Sequence, residues 1–178
     1  MRSIVVNLYG GPGTGKSTTA AHLFALLKID DLMRVELCRE YAKGVVYEDR
    51  LYLLEDQLYI FAKQNRKMAR LNGKVDYIIT DSPLLMSYHY SGYDPFYKDL
   101  VLRYLDNFDN VHIFLNRVKP YRKLGRLQTE EEAIRMDEEM KGMLMDLKLN
   151  YFQVQADEKA AREIRKMLYQ RKMFKVEE

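Results

Sequence analysis

An α/β fold, with a parallel sheet covered by helices on both faces, follows from three features of the chain. β-Branched apolar runs alternate with segments of helical periodicity from one end to the other. The first such run, Ser3 to Tyr9, stops at two glycines, the profile of a buried strand entering a tight turn. No repeat, low-complexity tract or Gly/Ser linker divides the 178 residues, so residues 1–178 read as one domain around one core.

The elements follow in order. After the first strand, residues 16–27 read as a helix with Ala20, Leu23, Phe24 and Leu27 on one face. Met33 to Leu37 is a second short strand. Leu51, Leu54, Leu58, Phe61 and Ala62 recur at helical spacing and predict one long helix over 49–71, ended by Asn72-Gly73. Val75 to Thr80 is the third strand, 95–106 a helix, and Val111 to Leu115 the fourth strand. Thr129, followed three residues later by Glu132, is the signature of a capping box opening a helix. Tyr151 to Gln155 is the fifth strand and 158–174 the closing helix. The basic residues of that last helix alternate with Ile164, Met167 and Leu168, which makes them a solvated face opposite a core face.

Composition narrows the class. At 47% hydrophobic and 31% charged residues, the chain buries a core and is not disordered. The net charge of +3 suits a phosphate-bearing partner without marking a nucleic-acid binder. Cys38 is the only cysteine, which excludes an intramolecular disulfide and fits a reducing, cytoplasmic setting. No apolar run approaches the ~20 residues of a membrane span, and no secretory signal layout opens the chain. His22, His89 and His112 are scattered, so a structural zinc site is not expected.

The strongest motif runs from Gly10 to Ser17, GGPGTGKS, and matches G-x-x-x-x-G-K-[ST] between a strand and a helix. Its glycines, Gly11, Gly13 and Gly15 among them, let successive backbone N–H groups turn inward as an anion nest. The helix N-terminus aims at the same phosphates. Gly11, Gly13, Thr14, Gly15, Lys16, Ser17 and Thr18 are therefore the candidate ATP-binding residues. Lys16 would reach the β- and γ-phosphates, and Ser17 would ligate Mg²⁺. The Asn-Lys-x-Asp expected of a GTPase is absent, and an extra helical domain of a remodelling ATPase is not expected at this length.

The third strand delivers Asp81-Ser82-Pro83 at its C-terminal end, where open parallel sheets bind ligands. Asp81 there either holds Mg²⁺ or orients an acceptor hydroxyl, or is an ordinary turn residue. The second strand leads into Arg39 and Glu40. Glu40 is a candidate base and Arg39 a candidate for a substrate phosphate; both also read as solvated residues at a helix start. Gln57 and Gln64 on the next helix could pair with a base edge. Tyr88, within the aromatic stretch Ser82 to Tyr97, could wall a planar substrate, and so could its neighbours. After the fourth strand, Arg117, Lys119, Arg122, Lys123 and Arg126 place five basic residues in ten. A basic segment over 117–128 would close over phosphates as a lid, with Arg117 and Arg122 on the donor and Arg122 and Arg126 stabilising transferred charge. The backbone at Gln155 to Asp157 could face adenine.

The order of these parts, GGPGTGKS, Arg-Glu-Tyr-Ala-Lys after strand two, Asp-Ser-Pro after strand three and Arg-x₄-Arg-x₃-Arg after strand four, resembles the small P-loop nucleoside/nucleotide kinases. The group around ribosylnicotinamide kinase and phage-type AAA-like kinases is the most similar in flavour. The resemblance implies a three-layer P-loop NTPase fold with a five-stranded parallel sheet of order 2-3-1-4-5 and an arginine-rich lid. It also implies ATP and Mg²⁺ as cofactors, a phosphotransferase activity, and a nucleoside or nucleotide acceptor. Related kinases carry Asp-Arg or Glu-Arg-Ser after strand three, where this chain has Asp-Ser-Pro. The acceptor therefore stays open between a free nucleoside or nucleotide, a polynucleotide end or hydroxymethylated base in DNA, and none, as in a slowly hydrolysing switch. Monomer and homodimer are both compatible.

Overall fold

Five parallel strands form one sheet in the order β2-β3-β1-β4-β5, as the resemblance implies. The computed structural model describes residues 2–31, 33–122 and 128–175, with side chains as far as Arg171. β1 (Ile4–Tyr9) lies at the centre. It pairs with β3 (Tyr77–Thr80) through Ile4↔Tyr77 and with β4 (Asp109–Asn116) through Asn7↔His112. β2 (Val35–Cys38) and β5 (Tyr151–Gln155) form the edges. Central position explains the composition of β1: Val5 through Tyr9 are all buried, so apolar residues must face both layers.

The pleat sorts those residues. Val6 and Leu8 face a core built with Leu23 and Leu27 of α1 (Lys16–Ile29) and Ile164 and Leu168 of α7 (Ala160–Lys175). Val5 and Tyr9 face the other layer. There they meet Phe61 and Met68 of α3 (Gln57–Ala69), Val101 and Leu105 of α5 (Pro95–Leu105), and Met140 and Leu144 of α6 (Glu130–Asp146). Each such fully buried side chain is worth about 1.5–3 kcal/mol over exposure. The capping box at Thr129 and Glu132 forms as expected. On α7, Arg165 and Arg171 pair with Asp30 and Asp109, tying the helix to the body.

The long helix expected over 49–71 does not form. Its place is taken by α2 (Ala42–Tyr47), a 3-10 turn at Leu51–Leu54, and α3. Asp49 adopts a left-handed conformation at φ 54°, which ends α2. Asp56 then accepts the Tyr59 N–H as the N-cap of a new helix. The periodicity misled because Leu51 and Leu58 are about half exposed and belong to no buried stripe. A short helix, α4 (Met86–Tyr90), also forms where no helix was expected. Strand ends differ by one or two residues: β2 begins at Val35 rather than Met33, and β4 extends to Asp109–Asn116.

Candidate active site

The C-terminal ends of β1, β3 and β2 converge with the N-terminus of α1. The turn from Gly10 to Gly15 requires its glycines: φ is 137° at Gly10, 79° at Gly13 and 108° at Gly15. Gly15 is the N-cap of α1, with no side chain capping the helix and no acidic residue in its first turn. The first amides of α1 thus carry no side-chain cap, the state in which a helix N-terminus can receive an anion. Thr14 stiffens the turn by donating its hydroxyl to the Gly11 carbonyl at 2.6 Å. Ser17 is partly buried in the first turn and Thr18 beside it is exposed.

Lys16 folds back over the loop. Its Nζ donates to the Gly10 carbonyl at 2.5 Å and the Gly11 carbonyl at 3.1 Å. Burial lowers its pKa, while Glu40, Asp81 and Asp137 oppose that shift and Arg117 adds to it. The same five groups therefore share one electrostatic neighbourhood. Such a convergence of both signs at a strand-end cleft marks a functional-site candidate.

The two acids sit side by side. Asp81 is buried, and its Oδ1 accepts the Glu40 backbone N–H at 2.9 Å, joining the end of β3 to the end of β2. Burial raises the Glu40 pKa, and the neighbouring Asp81 raises it further against the pull of Lys16. Tyr90, whose ring is half exposed, stands near: its phenol is pushed up to about 12 by loss of solvent at the hydroxyl and by the Glu40 charge. Arg39 is exposed, and Lys67 Nζ reaches its carbonyl at 2.5 Å. Ser82 is held by its N–H donating to the Thr80 hydroxyl at 3.1 Å.

Several sequence candidates have other partners. Gln64 is fully engaged inside the fold: it accepts the Tyr41 N–H at 2.9 Å and donates to the Thr80 hydroxyl at 3.3 Å. It braces the segment carrying Glu40. Gln57 donates to the Leu54 carbonyl at 2.6 Å, closing the 3-10 turn onto α3. Tyr88 packs edge-on against Tyr93 with ring centroids 5.2 Å apart, part of an aromatic group with His89 beside α6. Of the aromatic stretch read as a possible wall for a planar substrate, Tyr90 is the residue that senses the Glu40 charge.

Arg117 at the end of β4 is drawn into the loop itself, donating Nη1 to the Pro12 carbonyl at 2.9 Å and Nη2 to the Thr14 hydroxyl at 3.3 Å. Asp137 of α6, which the sequence did not single out, completes this contact with an ion pair to Arg117 at 2.9 Å. Its only sequence signal is an acid on the buried side of an amphipathic helix. Arg122 is exposed, and Arg126 with the rest of residues 123–127 lies outside the described residues. Among the described residues, no group of three or more His, Cys, Asp or Glu could hold a metal, and no helix is long and apolar enough to cross a membrane.

A glycine-rich loop feeding a helix at the centre of a parallel 2-3-1-4-5 sheet defines a P-loop nucleotide-binding domain. The chain belongs to the AAA domain family, whose profile matches residues 5–162. Its fold is that of the small P-loop kinases. It superposes on the NadR protein solved in complex with NR at a TM-score of 0.67 and 16% identity, over 92% of this chain and 51% of that one. It therefore spans about half the length of that protein. It also superposes on deoxyadenosine kinase from M. mycoides with bound dCMP and dCDP, at a TM-score of 0.60 and 18% identity, over 93% and 98% of the two chains. The same kinase with bound dATP gives a TM-score of 0.58 at 20% identity. No curated protein matches the sequence.

Proposed function

We propose that the chain is an ATP- and Mg²⁺-dependent phosphotransferase that moves a γ-phosphoryl group to a hydroxyl or phosphate of a nucleoside or nucleotide. The observation that carries this reading is the grouping of Lys16 with Glu40 and Asp81 at one end of the sheet. Two carboxylates beside the loop lysine supply one for a metal and one to orient an acceptor hydroxyl. The kinases that share the fold support the same reading, since two are solved with nucleoside or nucleotide ligands.

The residues fit the donor and its metal. The Gly11–Ser17 backbone supplies the nest, and the Ser17 hydroxyl and Asp81 carboxylate are hard oxygen donors of the kind Mg²⁺ takes in small number beside phosphate oxygens. When bound, the ion neutralises charge on the phosphate oxygens. Lys16 leaves the Gly10 and Gly11 carbonyls and turns to the phosphates. Glu40 or Asp81 orients the acceptor and accepts its proton as the new P–O bond forms and the bond to ADP breaks. A carboxylate held above its ordinary pKa is the better base for that step near neutral pH. Arg117 stands at the loop, and Arg122 and Arg126 belong to the segment proposed to cover the transferred group.

The test compares ATP consumption by the protein alone with consumption in the presence of nucleosides, nucleotides and oligonucleotides. Stimulation by one class, with stoichiometric phosphorylated product, supports the reading and names the acceptor. Slow consumption unchanged by every acceptor would replace it with the switch.

A further inference from the structure

Asp137 takes no part in the chemistry just proposed, yet no carboxylate in the site is more completely engaged. It lies two turns into α6 and is 7% exposed. Its Oδ1 accepts the Gly11 N–H. Its Oδ2 accepts Arg117 Nε at 3.0 Å and pairs with Nη2 at 2.9 Å. Arg117 passes the contact on to Pro12 and Thr14. One carboxylate and one guanidinium thus hold residues 11, 12 and 14 of the phosphate loop from outside it.

The helix bearing this acid packs directly on the loop. A Cβ at Gly11 would fall 2.6 Å from the Ala133 carbonyl and 2.9 Å from Asp137 Oδ1, so the backbones can approach this closely only through glycine. The capping box at Thr129 fixes the start of the same helix. Electrostatics make the placement notable. A carboxylate beside a polyphosphate site repels the ligand, and a buried ion pair is weak evidence for stability. A pair placed there is better explained by the geometry it enforces.

We propose that Asp137 is a positioning residue for the donor site: through Gly11 and Arg117 it holds the phosphate loop in the shape that receives a nucleoside triphosphate. The identity of that ligand rests on the function proposed above; the contact network does not.

The test measures binding rather than turnover. Asp137→Asn keeps an oxygen for the Gly11 N–H but loses the charge, and Asp137→Ala loses both. Gly11→Ala drives a methyl against the Ala133 carbonyl, Asp137 Oδ1 and Arg117 Nη2, so it disturbs the helix contact and the ion pair together and should raise Kd as well. Each variant is checked for folding by circular dichroism, and its affinity for a non-hydrolysable ATP analogue with Mg²⁺ is measured by calorimetry. The Kd should rise about tenfold or more in Asp137→Asn, the effect of one charge-assisted hydrogen bond, and further in Asp137→Ala. KM for ATP should rise with it, while KM for the acceptor stays within about twofold. A folded Asp137→Ala with wild-type Kd overturns the proposal. If that variant does not fold, an unchanged Kd in Asp137→Asn overturns it equally. Wild-type binding without any phosphoryl transfer would defeat the kinase reading and leave the positioning role standing; no wild-type binding would defeat both.

Discussion

The two halves of the site are built differently. On the donor side the phosphate loop is gripped on every flank: by Thr14 from within, by Lys16 from above, and by Arg117 and Asp137 from β4 and α6. On the side proposed for the acceptor, α2 buries only Val45, the 3-10 turn at Leu51–Leu54 buries nothing, and Tyr47 and Tyr52 are largely exposed. The first is held in one shape, as the proposed polyphosphate ligand would require. The second has few buried contacts, the property of segments that open locally at low cost and adapt to a ligand. On the proposed function, the step common to many acceptors belongs on the rigid side, and choice among acceptors on the loose one.

The largest effect should come from the rigid side. Lys16→Ala removes a cation from a loop and no apolar contact from the core. It should lower phosphoryl transfer at least ~10³-fold, the upper range for losing one charge-stabilising donor, with the melting temperature little changed. Near wild-type turnover in the folded variant would remove the donor site from this loop.

Asp81 sits on the boundary between the halves, and its replacement measures how far the rigid frame extends. Asp81→Asn preserves an oxygen for the Glu40 N–H while removing the charge. A loss of about 10²-fold in kcat should follow, the low end for a general base or its equivalent. If the loss is under threefold, Asp81 only fastens β3 to β2.

How much of this was legible follows the same division. The phosphate loop could be read because such a turn needs glycines at fixed intervals with a lysine and serine directly after them, a local pattern. That Glu40 and Asp81 lie together near Lys16 could be anticipated because both follow strand ends of one parallel sheet. Asp137 was not, because nothing local marks it: its partners lie 20 and 126 residues away, at Arg117 and Gly11. The break between α2 and α3 was missed because a left-handed Asp49 and an N-cap at Asp56 overrode an apparently continuous apolar period. Gln64 had a base-edge reading from its amide alone, and only tertiary structure shows that Tyr41 and Thr80 consume it.

Acid should loosen the donor frame in a way traceable to one residue. His112 on β4 is 6% exposed and shares a 2.9 Å hydrogen bond with Tyr9, the last residue before the loop. Burial depresses its pKa from 6.5 to about 4. The unfolded chain therefore takes up this proton first, and the folded state loses stability as pH falls from about 6.5 toward 4. By pH 5 the loss is on the order of 2 kcal/mol. Urea titrations of wild type and His112→Gln at pH 7 and pH 5 should differ by that amount in their pH dependence. Equal slopes would place the acid sensitivity elsewhere.

The smallest effect is expected at Arg39, and it sharpens the acceptor side most. The side chain is exposed, at the end of β2 beside Glu40. An exposed cation binding a phosphate contributes about 1 kcal/mol, near fivefold in KM, and contributes nothing when the acceptor carries no phosphate. Arg39→Ala should therefore leave kcat and KM for a nucleoside within about twofold of wild type. For the matching nucleoside monophosphate it should raise KM about fivefold at low salt, and added salt should shrink the difference as an exposed contact is screened. Equal response of the two acceptors would exclude Arg39 from the site. A selective response would say that the loose half of the site recognises phosphate, so that a nucleotide rather than a nucleoside is the better acceptor.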